Sequence, residues 1–113
     1  MVLKDLSDED RAKARAKALE ARTRRASVKA DFASGELSIT EILDLVPEDE
    51  AVGRLRVGEL LEALPGVGTV RASTIMSKLE ISESRRMRGL GRKQKNALTV
   101  YFNTSAKSNS RDH

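Results

Sequence analysis

A glycine-rich turn between two amphipathic segments is the feature that most constrains the fold of this chain. The turn spans residues 64–72 and reads Leu-Pro-Gly-Val-Gly-Thr-Val-Arg-Ala. Before it, apolar residues from Val57 to Leu64 are spaced i, i+3, i+4 and i+7, which predicts one buried helix face that stops at Pro65. After it, the inward face of a second helix is predicted at Val70, Ala72, Ile75, Met76 and Leu79. The segment is therefore a tight connection between two helices.

Such a turn is suited to binding an anion. Gly66 and Gly68 carry no Cβ, so backbone N–H groups can approach a phosphate, and the N-terminus of the next helix adds partial positive charge. The candidate anion-binding residues are Pro65, Gly66, Val67, Gly68, Thr69, Val70 and Arg71. An ordinary helical hairpin, whose glycines only relieve backbone strain, is the alternative at this point.

A second segment, rich in arginine, follows the second helix. It contains the densest group of cations in the chain, and the candidate binding residues are Arg85, Arg86, Arg88, Gly89, Arg92 and Lys93. Met87 and Leu90 alternate with the arginines and are predicted to anchor the loop on the core. A further helix with Leu98, Tyr101 and Phe102 facing the core is predicted beyond it. Guanidinium groups bind phosphate oxygens well, so both segments predict the same ligand.

These residues resemble a known family. Gly66-Val67-Gly68, Ala72, Ile75, Ile81, Leu90 and Leu98 resemble the helix-two-turns-helix motif of a small-subunit ribosomal protein and of the Fpg-type DNA glycosylases. More specifically, residues 60–65, 67–68, 75–76 and 85–91 resemble the actinobacterial integration host factor. The resemblance covers about Leu6 to Phe102. It implies that nucleic-acid phosphate is the ligand and that the two turns lie side by side on duplex DNA.

A long helix is predicted over residues 7–33, with Ser7 as its N-cap. The helix has a basic face formed by Arg11, Arg15, Arg22, Arg25 and Lys29. Its first half contains mostly Ala as apolar residues, so it is predicted to project from the body. The basic face is interpreted as a second DNA surface, and a solvated helix face is an equally good interpretation.

Charge is distributed unevenly along the chain. The net charge is +4, yet residues 1–34 carry nine Lys/Arg against six Asp/Glu, residues 35–64 two against eight, and residues 65–113 ten against three. This asymmetry places the candidate polyanion surface at the two ends of the sequence. In the acidic middle, Ser38 to Glu41 predicts a capping box, Pro47 a helix end, and Glu48 to Glu50 a further turn or helix start.

Composition excludes several classes of protein. At 113 residues the chain is one domain. It has no Cys and a single His, at position 113, so no disulfide, structural zinc or other cofactor is predicted. No apolar run has the length of a signal sequence or a membrane span, so a cytoplasmic protein without membrane contact is expected. Three aromatic residues are too few for a row of base-stacking platforms, which disfavours single-stranded nucleic acid.

The sequence predicts an all-α fold in four parts: an N-terminal tail (1–6), the long basic helix (7–33), a helical domain (34–103) with the helix-two-turns-helix motif at about 57–102, and a disordered tail (104–113). The predicted function is a monomeric, sequence-tolerant, duplex-DNA-binding protein of the nucleoid, and no enzyme. The resemblance adds DNA bending, compaction and support of a site-specific recombinase. A ribosomal RNA-binding protein is the alternative, and a glycosylase is disfavoured because it needs a further domain.

Overall fold

A computed structural model describes residues 7–111, with side chains described for residues 7–103. The helices of this part are α1 (Asp8–Ser34), α2 (Ile39–Leu45), α3 (Glu50–Gly53), α4 (Val57–Glu62), α5 (Thr69–Lys78) and α6 (Arg92–Arg111), with a 3₁₀ turn at Met87–Gly89 between the last two. The described residues form no strand, and their β-type pairing is one isolated antiparallel bridge between Arg56 and Arg86. The prediction of an all-α fold is confirmed. Residues 1–6, predicted as a tail, lie outside the described part.

Both ends of α1 are set by local residue chemistry. The Ser7 hydroxyl oxygen accepts a hydrogen bond from the Asp10 N–H at 3.0 Å, and Gly35 ends the helix with a left-handed φ of 87°. Residues 8–20 are all exposed, whereas Val28 and Phe32 are buried. The first half of α1 therefore projects from the body, as predicted, and the second half packs against α3 and α4.

The acidic middle of the sequence forms two capped helices. The Ser38 hydroxyl accepts from the Glu41 N–H at 3.1 Å, and the Glu41 carboxylate accepts from the Ser38 N–H at 2.9 Å, so the predicted capping box at α2 is confirmed. At α3, the Asp49 carboxylate accepts from the Val52 N–H at 3.2 Å, which confirms a helix start in this acidic segment.

Asp49 also ties α3 to α1. Its second carboxylate oxygen accepts a hydrogen bond from Arg24 Nε at 2.8 Å. Partial burial alone would raise the pKa of Asp49, but the Arg24 hydrogen bond and charge, with the N–H groups of Val52 and Ala51, lower it below its ordinary 3.8. The pair fixes where the second half of α1 lies on the helical domain.

One apolar core joins the helices. Its buried members are Val28, Phe32, Ile39, Ile42, Val52, Leu55, Val57, Leu60, Leu61, Ala72, Ile75, Met76, Ile81, Met87, Leu90 and Leu98. α4 packs against α5, and α2 against α6. The inward positions predicted for α4 and α5 are confirmed except for Val70, whose residue surface is 81% exposed. Val70 lies in the first turn of α5, where the helix extends beyond the core.

The C-terminus of α5 is closed by a Schellman motif without glycine. The Ile81 N–H donates to the Met76 carbonyl at 2.8 Å and the Glu80 N–H to the Ser77 carbonyl at 3.1 Å. Glu80 therefore adopts a left-handed φ of 58°, which is uncommon for a residue with a Cβ. This motif turns the chain sharply into the arginine-rich segment.

α6 closes the domain on α1. The rings of Phe32 and Phe102 meet edge to face at 5.5 Å between centroids, and Tyr101 contacts Phe102 in the same manner at 5.1 Å. The prediction that Tyr101 and Phe102 face the core is confirmed, since both are partly buried against it. The structure differs from the disordered tail predicted at 104–113, because α6 continues to Arg111. No Gly or Pro interrupts this stretch, so the helical hydrogen bonds can propagate. Residues 112–113 lie outside the described part.

Candidate nucleic-acid interface

The glycine-rich turn connects α4 and α5 as predicted. The Val67 N–H donates to the Leu64 carbonyl at 3.1 Å, and Gly66 adopts a left-handed φ of 80° that closes the turn. Pro65 and Gly66 are exposed, whereas Val67 packs partly against the core. Val67 therefore anchors the turn, and the surface offered to a ligand consists of the residues around it.

The N-terminus of α5 presents unpaired amides to solvent. Gly68 is its N-cap in an extended conformation, with φ −95° and ψ −171° and no side-chain cap. Thr69, Val70 and Arg71 are exposed, and no acidic residue lies in the first turn. Three backbone N–H groups and one guanidinium thus point away from the core, which is the arrangement that attracts an anion.

The arginine-rich segment forms a loop, residues 82–90, called here the arginine loop. It is held against the start of α4 by two backbone hydrogen bonds: the Val57 N–H donates to the Arg85 carbonyl at 3.0 Å, and the Met87 N–H to the Leu55 carbonyl at 2.8 Å. These bonds form the Arg56–Arg86 bridge. Sequence reasoning missed it, because a single bridge shows no alternating pattern.

Buried and exposed residues alternate along the arginine loop. Met87 and Leu90 are buried, so their predicted role as apolar anchors is confirmed. Arg86 and Arg88 are exposed. A Cβ built on Gly53 of α3 would lie 3.3 Å from the Cβ of Arg88, so the missing side chain lets the loop approach α3 closely. The loop holds its arginines on an ordered backbone, with two side chains free to contact a ligand.

Arg85 differs from Arg86 and Arg88 in making a hydrogen bond within its own loop. Its Nη1 donates to the Gly89 carbonyl at 3.0 Å, and its Cδ lies 3.2 Å from the position of a Gly89 Cβ. Its Nε is buried, with no partner among the residues described. The side chain is therefore folded over its own loop, and direct contact between Arg85 and a ligand stays a prediction.

A groove runs between α1 and the arginine loop and is lined by six cationic side chains: Arg22, Arg25, Lys29, Arg54, Arg56 and Arg86. Its volume is about 650 Å³, and Glu59 is its one acidic lining residue. Arg54 also forms an ion pair within α3 and its C-cap, since its Nη2 donates to the exposed Glu50 carboxylate at 2.9 Å. The sequence interpretation missed Arg54 and Arg56, which lie in the acidic middle of the chain and reach the groove only through the fold.

This basic groove corrects the prediction of two separated cationic surfaces. Arg22, Arg25 and Lys29 of α1 face the same groove as Arg86 of the arginine loop. Arg11 and Arg15 lie on the exposed outer half of α1 and do not line it. The predicted basic face of α1 is thus divided into an inner part, joined to the arginine loop, and an outer part that stands alone.

The arginine loop and the glycine-rich turn lie at opposite ends of α4. The arginine loop is bonded to the first residue of α4, and the glycine-rich turn follows its last turn. Six residues of helix separate them, which corresponds to about 9 Å at 1.5 Å per residue. At the start of α6, the exposed Arg92 and Lys93 line a further concave surface with Lys78. Lys78 is a cation that the sequence analysis did not single out.

Other site chemistries find no support in the part of the chain that the structure describes. Among those residues, no cluster of three or more His, Asp or Glu has the arrangement of a metal site. None of the described helices combines the length and apolar character that crossing a membrane requires.

Comparisons with known proteins agree with this architecture. A family model of the S13-like H2TH domain matches residues 32–102. The chain is 45% identical over 105 residues to the integration host factors of Mycobacterium tuberculosis and Mycolicibacterium smegmatis, a match that covers 93% of this chain and 100% of each relative. The chain belongs to the integration host factor family. The integration host factor of Streptomyces coelicolor is likewise 45% identical, with 98% of its length covered.

A solved structure supports the same assignment. The chain is similar to sIHF bound to an 8 bp palindromic DNA, with a TM-score of 0.73 and 46% sequence identity over 76% of this chain and 97% of that one. The resemblance inferred from the glycine-rich turn and the arginine loop is therefore confirmed.

Proposed function

We propose that this chain binds double-stranded DNA through its phosphates, with little dependence on base sequence. The observation that carries the proposal is the basic groove, where six cations from three separate sequence regions converge. Convergent Lys and Arg side chains bind the regular phosphates of a duplex and carry no sequence information themselves. The relative sIHF has been solved on DNA, which supports the same ligand here.

The glycine-rich turn supplies a second type of phosphate contact. Its free N–H groups at Thr69, Val70 and Arg71 are suited to one phosphate, while the arginine loop is bonded to the opposite end of α4. Separated contacts of this kind fix the orientation of a protein on the duplex. We infer that the turn and the arginine loop bind neighbouring phosphates of the same DNA.

Duplex DNA fits the surface better than unpaired bases do. The chain contains three aromatic residues, of which Phe32 is buried and Tyr101 and Phe102 pack against the core. None is placed as a platform on which an unpaired base could stack.

The outer half of α1 supports a role in bending. Arg11 and Arg15 extend the cationic surface of α1 past the groove, and we infer that a duplex bound at the groove curves along α1 to reach them. Bending a 20–30 bp site costs about 1–6 kcal/mol, which several additional phosphate contacts can offset. We propose that the protein bends or compacts DNA in the nucleoid as a monomer. Support of a site-specific recombinase stays a prediction from the family resemblance.

A salt series of DNA binding tests the proposal. Fluorescence anisotropy of labelled duplexes with unrelated sequences should give similar affinities, and log affinity against log salt should have a slope of about −5 if six phosphates are contacted. Structured RNA at equal phosphate concentration is the competitor that tests the ribosomal alternative. Tighter binding of the RNA, or a slope near zero with DNA, would overturn the proposal.

Bending is tested separately with a duplex labelled by dyes at both ends. Reversal of Arg11 and Arg15 to Glu should reduce end-to-end proximity at protein saturation, because the curved flank loses its contacts. Reversal of Arg22 and Arg25, which line the groove, should instead weaken binding itself. Equal proximity for the parent and the Arg11/Arg15 variant would show that the outer half of α1 is only a solvated face.

A further inference from the structure

Gln94 holds the two ends of the arginine loop together. Its side-chain Nε2 donates to the Glu80 carbonyl at 2.9 Å, and its Oε1 accepts from the Gly91 N–H at 3.0 Å. Glu80 precedes the loop at the end of α5, and Gly91 follows it at the start of α6. One amide group therefore bridges both points at which the loop leaves the helical scaffold.

The Glu80 carbonyl reaches Gln94 because of the unusual backbone at this residue. Glu80 has a left-handed φ of 58° within the Schellman motif. Its carbonyl lies beyond the last helical carbonyls of α5, so it is free of the hydrogen-bond ladder of that helix. The Gln94 amide supplies the donor that this carbonyl needs, and the left-handed residue and the glutamine form one structural unit.

We propose that Gln94 is a positioning residue for DNA binding, which sets the geometry of the arginine loop. The loop is also held at its centre by the backbone bonds of Arg85 and Met87 to the α4 side and by the buried Met87 side chain. Near its start, the Ser73 hydroxyl of α5 donates to the Glu83 carboxylate at 2.7 Å. Gln94 adds closure at the two ends of the loop from which Arg86 and Arg88 project. A preordered loop loses less conformational freedom on binding, which raises affinity without any contact from Gln94 itself. This inference rests on the proposed DNA binding.

Gln94→Glu separates the two hydrogen bonds. A Glu side chain keeps an oxygen that can accept from the Gly91 N–H, as in a capping box, but it cannot donate to the Glu80 carbonyl. Gln94→Leu removes both bonds. Asn96→Asp is the control variant, because it adds the same negative charge at an exposed position two residues further along α6. Comparison with it separates the lost hydrogen bond from repulsion between the added charge and DNA. Stability is measured for each variant, so that all binding is compared on folded protein.

The first measurement is amide hydrogen exchange in the absence of DNA. Gln94→Glu and Gln94→Leu should both accelerate exchange at the Met87 and Gly89 amides, which bond to Leu55 and Arg86, while exchange within α2 stays at the parental rate. Asn96→Asp should leave all of these rates unchanged. Parental rates at Met87 and Gly89 in Gln94→Glu would overturn the proposal, because the loop would then be ordered without the bond to Glu80.

The second measurement is duplex affinity at fixed salt. Gln94→Glu should bind about tenfold more weakly than Asn96→Asp, a ratio that equals about 1.4 kcal/mol. The loss of duplex affinity caused by Arg86→Ala should be smaller in Gln94→Glu than in the parent, because Arg86 on a loosened loop contributes less to binding. A merely structural role would lower stability and leave both affinity and this coupling unchanged, which would contradict the proposal. If the parent fails to bind duplex DNA, the proposed function fails, and the exchange data decide the role of Gln94 independently.

Discussion

Removal of the two exposed arginines of the loop should weaken DNA binding by an amount that the salt dependence predicts. Arg86 and Arg88 are exposed, and backbone hydrogen bonds to the start of α4 hold their loop in place. We therefore assign one phosphate to each arginine. Each lost contact makes the slope of log affinity against log salt less negative by about 0.9. With the lines of parent and variant meeting at 1 M salt, this equals about eightfold lower affinity per contact at 0.1 M salt. The double alanine variant should therefore lose about 60-fold at 0.1 M salt but only about 18-fold at 0.2 M.

The assay is fluorescence anisotropy with two duplexes of unrelated sequence at four or more salt concentrations. Arg85 stays unchanged, because its guanidinium donates to the Gly89 carbonyl and orders the loop. The control is Lys13→Ala with Lys17→Ala, which removes the same charge from exposed positions of α1 outside the basic groove. Parallel salt lines for the Arg86/Arg88 variant and the parent, or an equal loss in the control, would refute the assignment of phosphates to this loop.

Three further predictions concern backbone conformation and charge. Gly66→Ala should lower the free energy of unfolding by about 1 kcal/mol in urea titrations because of its left-handed φ, whereas Gly68→Ala, extended and with open space around it, should change it by less than about 0.5; equal losses would contradict this. Glu80→Gly should raise the free energy of unfolding by about 0.5–1 kcal/mol, because the strain at φ 58° is relieved and the greater chain entropy of glycine in the unfolded state offsets only part of that gain. An unchanged or lower Tm would argue against strain at this residue. The lowered pKa of Asp49 stabilises the fold above its unfolded pKa of 3.8, and this contribution is lost as pH falls through the lowered folded pKa. The Asp49→Asn variant should therefore lose less stability than the parent on acidification below about pH 4. Identical acid profiles would exclude the pair with Arg24 as a source of stability.

Features decided by neighbouring residues could be predicted from the sequence. Ser7 and the Ser38 to Glu41 capping box marked helix starts, because a cap depends on a few adjacent residues. The glycine-rich turn was located for the same reason, although the sequence did not distinguish the left-handed Gly66 from the extended Gly68.

Features that join distant segments could not be predicted in this way. The Arg24–Asp49 pair spans 25 residues, and the Arg56–Arg86 bridge joins two arginines that no local pattern connects. Helix periodicity placed Arg22 on a basic face but could not show that this face packs toward Arg86. It also placed Val70 inward, because periodicity does not reveal where a helix extends beyond its core.

The central claim is that the glycine-rich turn, the arginine loop and the basic groove form one DNA-binding surface. Its most direct test is an NMR titration of the ¹⁵N-labelled protein with a short duplex. We expect the amides of Thr69, Arg71, Arg86 and Arg88 to shift together with one saturation curve, along with those of Arg22 and Arg25. The amides of α2, on the acidic part of the chain, should not move. Shifts concentrated on α2, or separate saturation curves for the turn and the loop, would contradict a single surface.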